Sequence, residues 1–195
     1  TTVICTDKTG TLTKNEMTVT QLYILGGRFE VTGEGYAPEG EIKAKVEAEV
    51  KGGSAGRLAQ PQPEPQPALQ ELLTAGLLCN GATLTREDGS WRVVGDPTEG
   101  ALLVAAAKAQ LLQAPLDAAH PLIGEAPFDS ERKMMTMVRR VDGGAVAYVK
   151  GAPDVLLRRC THVLRQEGTV VLLTEEVRRA ILDANRFFAY EALRV

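Results

Sequence analysis

Three glycine turns govern what this chain can fold into. Gly26-Gly27, Asp88-Gly89 and Asp142-Gly143-Gly144 each separate two runs rich in β-branched, aromatic or other apolar residues. A connection of two or three residues joins only antiparallel neighbours, because a parallel crossover needs a dozen residues or more. The pattern predicts paired strands over 18–25 and 28–32, over 82–86 and 91–95, and over 134–140 and 145–150, with a further strand over 169–173. Helices fall between them. One runs over 68–79 and stops at Asn80-Gly81. Another opens at Pro97 with Leu102, Ala105, Ala106 and Ala109 inward. A short one follows Pro153, and Thr174 caps a long one to about 192 with Val177, Ile181, Ala184 and Phe188 inward. Ile42, Val46 and Val50, four apart, predict a weakly patterned helix over 41–50. The fold class is α+β, an antiparallel sheet flanked by helices.

The front of the chain breaks this pattern. Val3-Ile4-Cys5 has the continuous apolar character of a buried parallel strand, and Asp7 emerges at its carboxyl end, where open α/β sheets hold ligands. We therefore divide the chain into a stub and hinge over 1–16 and a second domain over 17–195. Within the latter, 51–67 carries Gly52-Gly53-Ser54 and prolines 61, 63, 65 and 67; it cannot pack a core and is expected to be a mobile surface loop. An aspartate placed like Asp7 can attack a phosphoryl group and carry it as an acyl phosphate, with Lys8 offsetting charge and the hydroxyls of Thr9 and Thr11 binding phosphate oxygens. The plainer alternative is a polar strand-to-turn junction bent at Gly10.

Bulk properties exclude some classes. The 195 residues carry a net charge of −3 with Lys and Arg scattered, so no basic face points to nucleic acid. Cys5, Cys79 and Cys160 are far apart and lack Cys-x-x-Cys spacing or histidine partners, which argues against a disulfide framework or a zinc site. His120 and His162 are read as structural. No apolar run reaches the roughly 20 residues that cross a bilayer. The chain starts in a strand and ends at Leu193-Arg194-Val195, which reads as the start of another; it is expected to be a piece of a longer protein.

Asp7-Lys8-Thr9-Gly10-Thr11-Leu12-Thr13 resembles, residue for residue, the phosphorylation motif of P-type cation-transporting ATPases. Phosphatases on the related haloacid-dehalogenase-like core place a second aspartate where Thr9 stands here. Thr9 does not titrate near neutral pH, so an aspartyl phosphate would persist, as suits a machine that couples phosphorylation to a conformational change. Pro127-Phe128-Asp129-Ser130-Glu131-Arg132-Lys133-Met134 resembles the family segment whose phenylalanine stacks on adenine and whose lysine lies beside the nucleotide, which implies those roles for Phe128 and Lys133 and places Met135 in the same pocket. By residue type alone Phe128 belongs in a core. Animal calcium pumps of the family commonly carry an arginine where Ser130 stands; whether Arg132 replaces it stays open. Gly95-Asp96-Pro97-Thr98-Glu99-Gly100 resembles the segment whose glutamate accepts a hydrogen bond from the adenine amino group, here Glu99, with helix capping by Asp96 as the structural alternative. Tyr148-Val149-Lys150-Gly151-Ala152-Pro153 matches the Lys-Gly-Ala element, whose lysine lines the deep end of the pocket and whose glycine lets the backbone approach the ligand. Arg194 stands where the family's arginine reaches the phosphates. Cys79-Asn80 resembles the family's helix end and is read as packing.

The resemblance thus implies a nucleotide-binding domain with a stub of the phosphorylation domain at its front. ATP and Mg²⁺ are the implied ligands, Asp7, Lys8 and Thr9 the catalytic residues, and Asp7 and Thr9 the Mg²⁺ contacts of the intact enzyme. Glu99, Phe128, Lys133, Met135, Lys150, Gly151 and Arg194 form the nucleotide site. Its partners would be the remaining phosphorylation, actuator and transmembrane domains of a cation pump, the domain itself lying at the cytoplasmic face of a membrane, with calcium the expected ion. The chain by itself is expected to bind nucleotide without turning it over. Two other classes stay open: a haloacid-dehalogenase-like phosphatase or phosphotransferase, and a non-catalytic interaction module.

Overall fold

The glycine turns close as expected in the computed structural model, which describes residues 14–45 and 66–195. β1 (Gln21–Ile24) and β2 (Gly27–Val31) pair antiparallel across the first turn. β4 (Thr83–Glu87) and β5 (Ser90–Val94) pair across Asp88-Gly89, whose φ angles of 49° and 80° are both left-handed, the backbone that a tight hairpin between twisted strands requires. β7 (Met134–Val141) and β8 (Gly144–Gly151) pair across the third.

The ladders differ from the expected pattern in three places. Ile42–Ala44 is a strand, β3, paired antiparallel with β2 so that Ile42 lies opposite Val31. The open edge of β2 supplies hydrogen bonds that a weakly patterned helix over 41–50 could not match, and Ile42 packs against the Phe29 cluster; residues 46–50 lie outside the described set. Leu122–Asp129 forms β6, the third strand of the β6-β7-β8 sheet, which the sequence pattern did not reveal because Gly124, Glu125 and Pro127 interrupt its alternation. His162–Leu164 (β9) pairs with Val170–Leu172 (β10), and Leu25 bridges in parallel to Arg165, so that this last hairpin meets the first sheet. The expected single sheet is therefore divided into four antiparallel sheets among the described residues.

Five helices fill the spaces between the ladders: α1 (Pro67–Leu78), α2 (Pro97–Lys108), α3 (Gln113–Ala119), α4 (Pro153–Leu157) and α5 (Glu175–Tyr190). α1 starts at Pro67, the last residue of the expected loop, whose proline serves as N1; residues 51–65 of that loop lie outside the described set. Leu73, Leu77 and Leu78 of α1 pack against Leu103, Ala105 and Ala106 of α2 and against Ala82. α2 is buried on more than the one face that Leu102, Ala105, Ala106 and Ala109 suggested: Gly100, Ala101, Val104 and Lys108 are buried too, while Ala109 is exposed. Wedged between α1 and the β4–β5 hairpin, it has little free surface, and a helix so placed needs no polar stripe. Lys108, 8% exposed, donates to the carbonyls of Thr32 (2.7 Å) and Gly33 (3.2 Å), which ties α2 to the end of β2; burial lowers its pKa.

One buried arginine ties the β6-β7-β8 sheet to both α1 and α3. Arg139 of β7, 5% exposed, donates from Nε to the Leu78 carbonyl (3.0 Å) and from Nη1 to Asp117 of α3 (2.8 Å). Cys79 lies against Met135 and Met137. Thr174 caps α5 as expected, accepting from the Val177 N–H, and Ala184 and Phe188 are buried. Residues 193–195 join no ladder. Instead Ala192 turns left-handed (φ 56°) and the Leu193 N–H closes back on the Phe188 carbonyl (2.9 Å), a helix-ending loop.

Candidate nucleotide site

The end of α1, the start of α2 and the end of β8 meet at one point. Asp96 caps α2: its Oδ1 accepts from the N–H groups of Thr98 (2.8 Å) and Glu99 (3.2 Å), with Pro97 at the first helical position. Burial acts to raise the Asp96 carboxyl, and the Thr98 side chain, the N–H groups of Glu99 and Thr98, and the Arg194 charge outweigh it and hold the pKa below the ordinary range. Capping by Asp96 frees the Glu99 side chain for other partners. Its Oε1 takes the Lys150 ammonium at 2.5 Å, and its Oε2 accepts from the Gly81 N–H at 3.2 Å. Lys150 also donates to the Cys79 carbonyl at 2.6 Å. Residues 79, 99 and 150, from three elements, thus share one ammonium.

Asn80 holds these elements together. At 4% exposure it donates from Nδ2 to the carbonyls of Gly76 (3.1 Å) and Glu99 (2.9 Å) and accepts at Oδ1 from the Ala82 N–H (2.9 Å). Asn80 thus links the last turn of α1, whose carbonyls lack intrahelical partners, to the first turn of α2 and to the residue before β4. From sequence Asn80 reads as a helix stop and packing residue; its spacing from α2, 19 residues on, carries no signal of this bridge. The Cys79 thiol beneath it approaches the Met135 carbonyl at 3.7 Å, and burial pushes its pKa up.

Phe128 projects from the opposite edge of the sheet. β6 pairs Ala126 with Thr136 and Asp129 with Met134, so Pro127 and Phe128 together face Met135 alone. Such a bulge re-aims side chains. Phe128 is 63% exposed and not in the core that its residue type suggested. The turn beyond is locked by Asp129, whose Oδ1 accepts from the N–H groups of Glu131 and Arg132, both at 2.8 Å; these bonds lower the Asp129 pKa. Lys133 is exposed at φ 53°, its N–H bonded to the Asp129 carbonyl at 2.7 Å.

Of the residues singled out from sequence, Glu99 and Lys150 are brought into direct contact, and Met135 lies opposite Lys150 in the β7–β8 ladder, 5% exposed. A Cβ at Gly151 would lie 2.3 Å from the Lys133 carbonyl oxygen and 2.7 Å from the Met134 Cα, so glycine is required there by the approach of β8 to β7, whatever binds nearby. Arg194 is exposed and close enough for its charge to act on Asp96. Arg132 lies among backbone carbonyls, with Nη2 2.9 Å from the Pro127 oxygen. Asp7, Lys8 and Thr9 lie outside the described residues. Clefts of about 290 and 360 Å³ are lined from residues 14–45 and include none of these side chains. No helix among the described residues is long and apolar enough to cross a membrane.

Comparison with known proteins bears on the whole chain. Residues 68–195 match the family model described as P-type ATPase, cytoplasmic domain N. The chain is 41% identical over 195 residues to the cation-transporting ATPase pma1 of Synechocystis, covering all of this chain and 20% of that protein. It is 38% identical over 193 residues to the calcium-transporting ATPase of Bacillus subtilis, covering 98% of this chain and 20% of that one. A bovine relative, the calcium-transporting ATPase type 2C member 1, is 37% identical over 181 residues, 90% of this chain and 17% of its own length. The chain therefore spans about a fifth of the length of these curated relatives. This match over most of the chain makes it a member of the P-type cation ATPase family that carries the cytoplasmic domain N.

Proposed function

We propose that this domain binds ATP for a cation pump that passes through an aspartyl phosphate on Asp7, with calcium as the transported ion. The observation that carries the reading is Phe128, an aromatic ring held outside the core on a locked bulge. Leaving such a ring in water forgoes its burial; a base stacked on it recovers about 1–3 kcal/mol. The other groups suit the rest of an adenine nucleotide. A carboxylate has about four lone-pair directions. Glu99 has two partners here, which leaves capacity to accept from an exocyclic amine. Lys150 adjoins it from β8, and Met135 lies opposite Lys150 on β7. Lys133 and Arg194, both exposed, supply cationic charge for phosphates.

In the intact enzyme, Asp7 Oδ would form a bond to the γ-phosphorus as the bond to the bridging β–γ oxygen breaks and ADP leaves with the electron pair. Asp7 and Thr9 would contact the Mg²⁺ that accompanies the nucleotide, with Lys8 offsetting charge. The chain alone holds ATP and does not turn it over, because catalysis needs the remaining phosphorylation domain. Its further partners would be the actuator and transmembrane parts of the pump, on the cytoplasmic side of the membrane.

Titration with ATP, followed by backbone amide shifts, tests the reading. Saturable shifts at Glu99, Phe128 and Lys150 are expected, and Phe128→Ala weakens binding by about 5- to 150-fold, the loss of one stacking contact. A wild-type chain without saturable shifts, or a Phe128→Ala chain that binds equally well, would contradict it.

A further inference from the structure

We infer that Arg132 is a positioning residue for the base-stacking ring, acting through the backbone of the bulge and not through phosphate; this rests on the adenine-stacking role of Phe128 proposed above. Its Nη2 donates to three carbonyls, those of Pro127 (2.9 Å), Ala126 (3.4 Å) and Met134 (3.4 Å). Ala126 and Pro127 lie immediately before Phe128 on β6, and Met134 lies on the facing strand. One guanidinium therefore spans both sides of the bulge.

The bulge needs such a donor. Pro127 has no N–H and Pro127 and Phe128 share a single opposite residue, so the regular ladder is interrupted where the ring leaves the sheet. Carbonyls there must find a donor elsewhere or face water, and a strand segment with unfilled ladder positions moves more freely. Arg132 fills them from within the same turn, which Asp129 in turn fixes by accepting the Glu131 and Arg132 N–H groups. A ring held still in its stacking orientation gives up less entropy when a base arrives.

The position of the guanidinium also separates this role from the rival one. In the rival role Arg132, the arginine of the turn, would contact phosphate in place of the arginine that relatives carry at the position of Ser130. A phosphate ligand acts in proportion to the phosphates present. A group that positions the ring acts equally on every ligand carrying the base.

The test is therefore a comparison of adenosine, AMP, ADP and ATP, titrated into the wild-type chain and into Arg132→Met, which keeps the stem and loses the donors. We expect Arg132→Met to weaken all four by the same factor, about tenfold, within twofold of one another. In the unliganded variant, amide signals of Ala126, Phe128 and Met134 shift while those of Glu99 and Lys150 stay in place. A loss that grows from adenosine to ATP overturns the inference and makes Arg132 a phosphate ligand, and unchanged affinities overturn it as well. If Arg132→Met does not fold, Arg132→Lys is read on the same ratio of ATP loss to adenosine loss. A wild-type chain that binds none of the four ligands removes the adenine-site reading itself; wild-type binding with the wrong ratio removes only the role of Arg132.

Discussion

Asp96 and Glu99 sit three residues apart at the start of α2 and have opposite tasks. Asp96 turns back to the helix, accepting the N–H groups of Thr98 and Glu99, while Glu99 turns away to Lys150 and Gly81. The capping spacing made Asp96 recognisable from sequence. It left the direction of Glu99 open, because an acidic residue in the first helical turn also answers the helix dipole without any partner. Asp96→Ala is expected to cost about 1 kcal/mol at pH 7, the ordinary value of a lost N-cap. Its folded pKa lies below the unfolded one of about 3.9, so the contribution is complete above that value and is lost as pH falls through the folded pKa. Urea unfolding of both chains across pH 7 to 3 checks this. The gap between them should narrow below about pH 4, and a gap of constant size would mean that the carboxylate is not the stabilising group.

At the scale of elements, legibility followed local chemistry. The hairpins closed at their glycine turns, α2, α4 and α5 began at Pro97, Pro153 and the Thr174 cap, and α1 began at Pro67, one residue before its expected start. These signals act within a few residues, so the chain displays them directly. β3, β6 and β9 were not legible in the same way, since each exists by pairing with a strand that has its own pattern. α3 lacks any buried residue and offered no periodic stripe to read. Close approach between elements is equally invisible in one dimension. Gly100 on α2 has no room for a side chain, because a Cβ there would lie 2.4–2.5 Å from the Cγ atoms of Val93 on β5. Gly100→Ala is expected to destabilise the chain by about 1–3 kcal/mol through this overlap, despite the better helix propensity of alanine. Adding Val93→Ala should recover part of that loss in thermal unfolding. If the double variant is no more stable than the sum of the single ones predicts, the contact is not the cause.

For the whole molecule, the Glu99–Lys150 pair, the Cys79 carbonyl and the Asn80 bridge draw α1, α2 and β8 to one point, so a ligand bound there is linked to global stability. ATP at about a hundred times its Kd should stabilise the folded chain by about 2.7 kcal/mol and raise its Tm by about 5–10 °C. Phe128→Ala at the same ATP concentration should show a smaller rise, from about two thirds of it for a 5-fold loss of affinity to about a tenth for a 150-fold loss, and γ-labelled ATP incubated with the wild-type chain should give no steady phosphate release. A rise of equal size in both chains would place the ligand elsewhere. The sequence by itself determined the antiparallel α+β class, the turns and caps, and, through its motifs, the family and the residues of interest, because each depends on chemistry between near neighbours or on a contiguous signature. Only the tertiary structure decided that Phe128 stands outside the core, that Glu99 and Lys150 form a pair, that Asn80 joins two helix ends and that Arg132 faces carbonyls. Those outcomes rest on contacts across a bulge or between positions up to 71 residues apart, such as Lys150 and Cys79, and the free energy of such contacts exists only once the chain has closed around them.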